Sequence, residues 1–230
     1  TSLASDNGSF GICTYTGDAT AGSTVKHSLD GIPEMILFKR YGTTTANWMA
    51  YHKDAGASNT DYLLLDNTAA KGAFGAINWL NATTPTSTLV TLGSDSNNNA
   101  ADKFIMYLFR SIAGVCKVGS YTGSGDANGP YISTGFEPSF IMIKRAVGGV
   151  GDWNILDTSR EPFNAASPLV IRANLTNAGE AGSIGDFDIL SDGFKLRAAS
   201  ANANTASSTY IYLAMSDIGG NGTLPPMYGR

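Results

Sequence analysis

His27 and His52 are the chain's two histidines. Catalysis built on histidine needs the ring in a fixed relation to a serine, a cysteine or a carboxylate. Neither ring stands in such a pattern, and each is expected as a surface or hairpin residue. Glycoside hydrolysis needs two carboxyl groups facing each other across a groove. The candidates are Glu34, Glu137, Asp186 and Asp188, and Asp186-Phe187-Asp188 would set two acids on one face of a strand. Solvated strands show that spacing as readily, so no catalytic residue is predicted. Asp95-Ser96-Asn97-Asn98-Asn99 with Asp102, and Asp126-Ala127-Asn128, offer the oxygen ligands that calcium takes. Both lack the EF-hand order, and Asx-rich turns account for them. Gly148-Gly149-Val150-Gly151 lacks the lysine and helix start of a phosphate cradle. Cys13 and Cys116 show no zinc-type spacing and read as buried free thiols, with one disulfide as the alternative. No metal and no cofactor is expected.

Aromatic platforms are the stronger chemistry, because a sugar stacks its apolar face on an indole or phenol ring while neighbouring polar groups take its hydroxyls. Trp48, with Tyr51 close by, recurs as Trp153. A tryptophan kept at one place in both halves also suits a packing anchor. Trp79 has no counterpart and lies beside Asn78 and Asn81, which predicts an exposed contact. The ligand-binding candidates are therefore Trp79, Trp48, Tyr51 and Trp153.

These side chains need a frame, and the sequence describes one made of strands. Short apolar, β-branched or aromatic runs such as Met35–Phe38, Phe104–Phe109 and Tyr210–Met215 are closed by Gly, Pro, Asn or Asp. Strands covered on both faces read this way. The 27 glycines and the scarcity of Lys and Glu disfavour helix, and 59–73 is the most helix-permissive stretch. The Asn- and Ser-rich tracts at 94–102 and 198–209 read as long hairpin loops or exposed edges, each before a final strand. Only 15% of residues are charged and the net charge is −4. That leaves no basic stripe for nucleic acid, and with no run of 18 apolar residues no membrane insertion is expected. The absence of an initiator Met before Thr1 predicts a processed product or a C-terminal fragment.

Blocks recur along the chain. Pro33, Lys39-Arg40 and Trp48 are answered 105 positions later by Pro138, Lys144-Arg145 and Trp153. Tyr15-Thr16-Gly17 returns as Tyr121-Thr122-Gly123, and 104–109 as 210–215. Leu63–Thr68 corresponds loosely to Leu169–Asn174. The pattern predicts an all-β protein of two tandem β-sandwich lobes, jelly-roll or lectin-like, from an internal duplication. The lobes would cover 1–115 and 116–230 and pack together without a linker, and the tail from Gly219 to Arg230 would be extended.

Taken in order, the blocks resemble a repeat of tail-fibre-like structural proteins from marine bacteriophages, especially phages of cyanobacteria. Its marks in the first half are Tyr15-Thr16-Gly17, Gly22, Pro33, Lys39-Arg40, Asn47-Trp48 and Tyr51-His52. The second half carries Gly119–Gly123, Gly129-Pro130, Thr134-Gly135-Phe136, Ile143–Arg145, Trp153 and Ser191–Arg197. The likeness covers nearly the whole chain; Cys13 and the Gly222–Pro226 end depart from it. It implies a virion protein of β-sandwich type, commonly the C-terminal part of a longer structural protein, with no assigned activity and no catalytic residue. The expected role is a tail-fibre or host-recognition module that binds a host surface polysaccharide and is not an enzyme. Its expected partners are copies of itself in a homo-oligomer, a trimer, and other virion proteins. A capsid decoration protein without ligand and a polysaccharide depolymerase are the alternatives.

Overall fold

A computed structural model describes residues 1–42, 46–56, 59–73, 75, 79–160, 164, 168–181 and 187–217. The expected extended tail, 219–230, and Asp186 lie outside the described residues. The chain divides into two compact units, Thr1–Arg110 and Ser111–Arg230. It is all-β, with antiparallel sheets.

The first unit contains β1 (Ser2–Ala4), β2 (Phe10–Thr16), β3 (Thr24–Lys26), β4 (Met35–Tyr41), β5 (Met49–His52), β6 (Asp61–Leu64), β7 (Gly72–Ala73), β8 (Leu89–Thr91) and β9 (Lys103–Phe109). Seven of these form one sheet in the order β1-β2-β9-β4-β5-β6-β7, and β3 pairs with β8. The helix-permissive stretch 59–73 forms β6 and β7 instead, and the helical element described is a single 3-10 turn at Leu80–Ala82. Tertiary pairing overrides weak helix propensity there: Leu63 is fully buried opposite Ala50. Alternate residues of the large sheet (Cys13, Ile36, Phe38, Met49, Tyr51, Met106, Leu108) pack on Leu29, Trp79, Leu80, Val90 and Leu92 from the opposing layer. Period-2 alternation gives each strand this inner row.

The second unit contains β10 (Cys116–Thr122), β11 (Tyr131–Ser133), β12 (Phe140–Val147), β13 (Trp153–Asp157), β14 (Leu169–Arg172), β15 (Glu180–Ala181), β16 (Phe187–Leu190), β17 (Gly193–Leu196) and β18 (Thr209–Met215). Its sheets run β10-β18-β12-β13-β14-β15 and β11-β17-β16. Tyr121, Ile141, Ile143, Leu156, Val170, Tyr210 and Tyr212 meet Ile132, Phe136, Phe187, Phe194 and Leu196 between them.

Strand registers in the two units coincide. Phe10 opposes Phe109 as Cys116 opposes Met215, Met35 opposes His52 as Phe140 opposes Asp157, and Met49 opposes Leu64 as Asn154 opposes Arg172. The last correspondence moves the block match by two residues: Leu63 answers to Ile171, not to Leu169.

The Tyr-Thr-Gly landmark has a mechanical basis. The Tyr15 hydroxyl donates to the Asn97 carbonyl and the Tyr121 hydroxyl to the Ala203 carbonyl, so each tyrosine holds the loop before the final strand. The glycine lets that loop approach: a Cβ on Gly17 would stand 2.2 Å from the Asn99 carbonyl oxygen, and one on Gly123 2.2 Å from that of Thr205. The tracts at 94–102 and 198–209 are thus anchored loops with buried asparagines, not exposed edges. Asn98 and Asn204 are 1% and 0% exposed. The Asn204 Oδ1 accepts from the Ser124 amide at 2.8 Å, and its Nδ2 donates to the Asp126 and Ala198 carbonyls at 2.8 and 3.0 Å. Removing that carboxamide strands buried backbone groups, each costing about 1–3 kcal/mol. Asn204→Ala is expected to lower the urea midpoint with an unchanged m-value; an unaltered midpoint would show that the clip carries no stability.

Candidate functional site

Of the four aromatic candidates, the structure brings Tyr51 and Trp79 together in the core of the first unit, and Trp153 belongs to the second. Trp79 is fully buried, not exposed. Its indole Nε1 donates to the Asp61 carbonyl at 3.2 Å, and its ring meets Phe38 edge-on at 5.1 Å. The polar neighbours in sequence mislead, because one inward hydrogen bond satisfies the indole and leaves the rest apolar. Trp153 and Tyr51 are buried at 1% and 4% exposure. Trp48 alone of the four is half-buried, stacked on Tyr107 at 5.9 Å with the Lys39 ammonium 5.5 Å from its ring centre. Trp48 and Trp153 keep the same backbone clamp: their amides donate to Asp66 and Asn174 side chains.

The remaining candidates serve the fold. Both histidines are buried at 3%, not at the surface. The His27 Nδ1 accepts from the Leu29 amide, so Nε2 carries the hydrogen donated to the Thr86 carbonyl, and burial holds its pKa below the usual value. The His52 Nδ1 accepts from the Asp54 amide. Glu34 pairs with Lys53 and Asp188 with Arg197, while Glu137 is exposed. Cys13 and Cys116 are buried free thiols. Among the described residues no three His, Cys, Asp or Glu side chains are grouped as metal ligands would be. Gly148–Gly151 is the β12–β13 hairpin loop, and it accepts hydrogen bonds from Lys144 at Gly151 and Arg145 at Gly148.

Lys39 and Lys144 each reach across their hairpin to a carbonyl, of Ala46 and Gly151 respectively. Lys144 is fully buried. Burial brings its pKa down to about 8, against the opposing pull of Asp152.

Among the described residues of the first unit, two cavities bear on a site. One, of about 520 Å³, runs beside β2 and β3 and is lined by hydroxyls including Thr14, Thr16, Ser23 and Thr24, with Asp18 and Lys26. Asp18 is exposed, and hydrogen bonds from Ser23, Thr20 and Asn98 hold its carboxyl below the ordinary range. The second, of about 310 Å³, opens where β4, β5 and β6 meet the 94–102 loop. Arg40, at the end of β4, enters it while paired with Asp102 at 3.0 Å. Tyr62, Met49 and Leu64 form its apolar wall, and Asn47, Asp95, Ser96 and Asn99 its polar side. Asn98 fixes that side: its Oδ1 accepts from the Asp18 amide, and its Nδ2 lies within hydrogen-bond distance of Asp18 Oδ1 and the Thr20 and Gly93 carbonyls. The Asx-rich turn expected at 95–99 forms the polar side of this pocket, and Tyr62, a residue without a chemical signature in the sequence, forms its wall. The usable signal was that Asn98 and Asn204 stand at matching places in the two Asn-rich tracts.

A family model described as a domain of unknown function, DUF7483, matches residues 1–218. No curated protein and no solved structure matches the chain.

Two measurements check these placements. Trp79→Ala is expected to destabilise the chain by about 3–5 kcal/mol in urea; a loss under 1 kcal/mol would mean that the indole is not core. For Lys144 the folded pKa lies below the ordinary 10.5. The unfolded chain therefore binds more protons between about pH 8 and 10.5, and stability rises with pH across that window. The stability of the parent relative to Lys144→Met should grow from pH 8 to 10; a constant difference would contradict the buried placement.

Proposed function

We propose, for a chain that belongs to the DUF7483 family of domains of unknown function, that it is a bacteriophage virion structural protein, a tail-fibre or host-recognition module holding a host surface polysaccharide. The observation that carries this reading is the 310 Å³ pocket of the first unit, where a tyrosine, carboxamides and an exposed carboxylate share one opening on a strand frame. Saccharides are recognised by that mixture: a ring for the C–H face, planar polar groups for the hydroxyls. The low charge and the resemblance to tail-fibre repeats agree with adhesion to a polar surface.

The matching registers support an internal duplication as the origin of the two units. Assembly as a homotrimer on a virion would multiply weak sugar contacts into useful avidity.

The purified chain, incubated with lipopolysaccharide or capsule from marine cyanobacteria, is expected to be retained by at least one of them without releasing reducing ends. Retention by none, with the chain located on the capsid of its particle, would favour a decoration protein. Release of reducing ends would favour a depolymerase.

A further inference from the structure

We infer that the pocket between Tyr62 and the 94–102 loop is a subsite for a single uncharged pyranose ring, and that the matching place in the second unit is closed to sugar. This rests on the carbohydrate-binding reading above and assigns it to one unit.

The pocket's size, about 310 Å³, lies at the low end of the roughly 300–1,000 Å³ typical of small-molecule sites and suits one six-membered ring. Its wall is prearranged. Tyr62 packs at 6.4 Å on the buried Trp79, and Gly72 sits so close that a Cβ there would meet the phenol at 2.7 Å. Opposite, the exposed Asp95 carboxylate accepts a long hydrogen bond from Asn99 Nδ2 at 3.4 Å, and the exposed Asn47 completes the rim. A carboxylate accepts from two adjacent hydroxyls while a carboxamide both donates and accepts, which matches a vicinal diol. Charge selects the class of sugar. Arg40 is neutralised by Asp102, which leaves Asp95 as the net charge and disfavours a uronic or sialic acid.

The second unit supplies an internal comparison. By register, Arg172 stands in the place of Leu64 and Val170 in that of Tyr62. Asp152 takes the place of Asn47, and Ala201 that of Asp95. The Arg172 guanidinium bridges to Asp152 at 3.2 Å and Glu180 at 2.8 Å, and Asn174 Nδ2 secures Asp152 at 2.8 Å. Aromatic wall and acceptor acid are both gone, and an ion-paired arginine spans the place where the first unit is open.

The test uses the full chain with methyl glycosides of glucose, galactose and mannose, and methyl glucuronide as the acidic probe, read by saturation-transfer NMR and calorimetry. The parent is expected to bind at least one neutral glycoside with Kd on the order of 1 mM. Asp95→Ala and Asn99→Ala should each weaken it about tenfold. The double variant Leu64→Arg/Asn47→Asp, which transplants the second unit's bridge, should abolish binding with its thermal midpoint retained. A parent that binds no neutral glycoside, a preference for the glucuronide, or a folded double variant that binds as the parent does would overturn the inference. Retention on host polysaccharide, measured on the same samples, separates the two claims. A parent that binds free glycoside but no host polysaccharide keeps the pocket and overturns host recognition. A parent retained by polysaccharide that binds no glycoside overturns the pocket alone.

Discussion

A carboxamide buried away from water is tolerated when its donors and acceptor are met, and this requirement governs the loop that enters the last strand of each unit. Asn98 meets it against Asp18, Thr20 and Gly93; Asn204 meets it against Ser124, Asp126 and Ala198. Each amide joins the turn after one strand (β2 or β10) to the approach of the unit's final strand (β9 or β18), and the two strands so joined pair side by side. The tyrosine one turn earlier and the close-approach glycine belong to the same closure. With the loop fixed, Asp102 is set where Arg40 can reach it, and Asp95 and Asn99 are presented to the pocket.

One frame thus carries two chemistries. The hairpin lysine clip, the loop asparagine and the clamp on each tryptophan amide occur in both units at matching places. The side chains around them diverge. Trp48 is half-buried and Trp153 is buried; one unit opens a pocket beside Tyr62, and the other spans that place with Arg172, Asp152 and Glu180. Backbone closure constrains the shared features, whereas the pocket positions on the strands can change side chain because their ladder hydrogen bonds run through the backbone.

Much of the frame was legible. Apolar runs closed by turn residues announce strands, and the proline, Lys-Arg and tryptophan spacing marks the registers that the sheets adopt. What escaped reading were side chains whose environment is set across the sheet. Trp79 looked exposed because of its asparagine neighbours, but its partner Asp61 lies on β6, distant in sequence. Lys144 reads as a surface cation, yet its ammonium turns inward to a carbonyl of its own hairpin. The buried asparagines hid within tracts of similar residues, where composition cannot separate the one that is enclosed from those that are wet. The pocket was missed for the same reason, since Tyr62 and Asp95 belong to segments far apart in sequence.

Native-state hydrogen exchange of an Asn98→Ala variant tests this closure most directly. The Ala19 amide donates to the Asn98 carbonyl and the Gly93 amide to Asn97 Oδ1. In the variant both should exchange faster by at least about tenfold, while the ladder amides pairing Cys13 with Met106 keep their protection. Unchanged exchange across 17–20 and 93–102 would contradict the claim that this amide holds the loop.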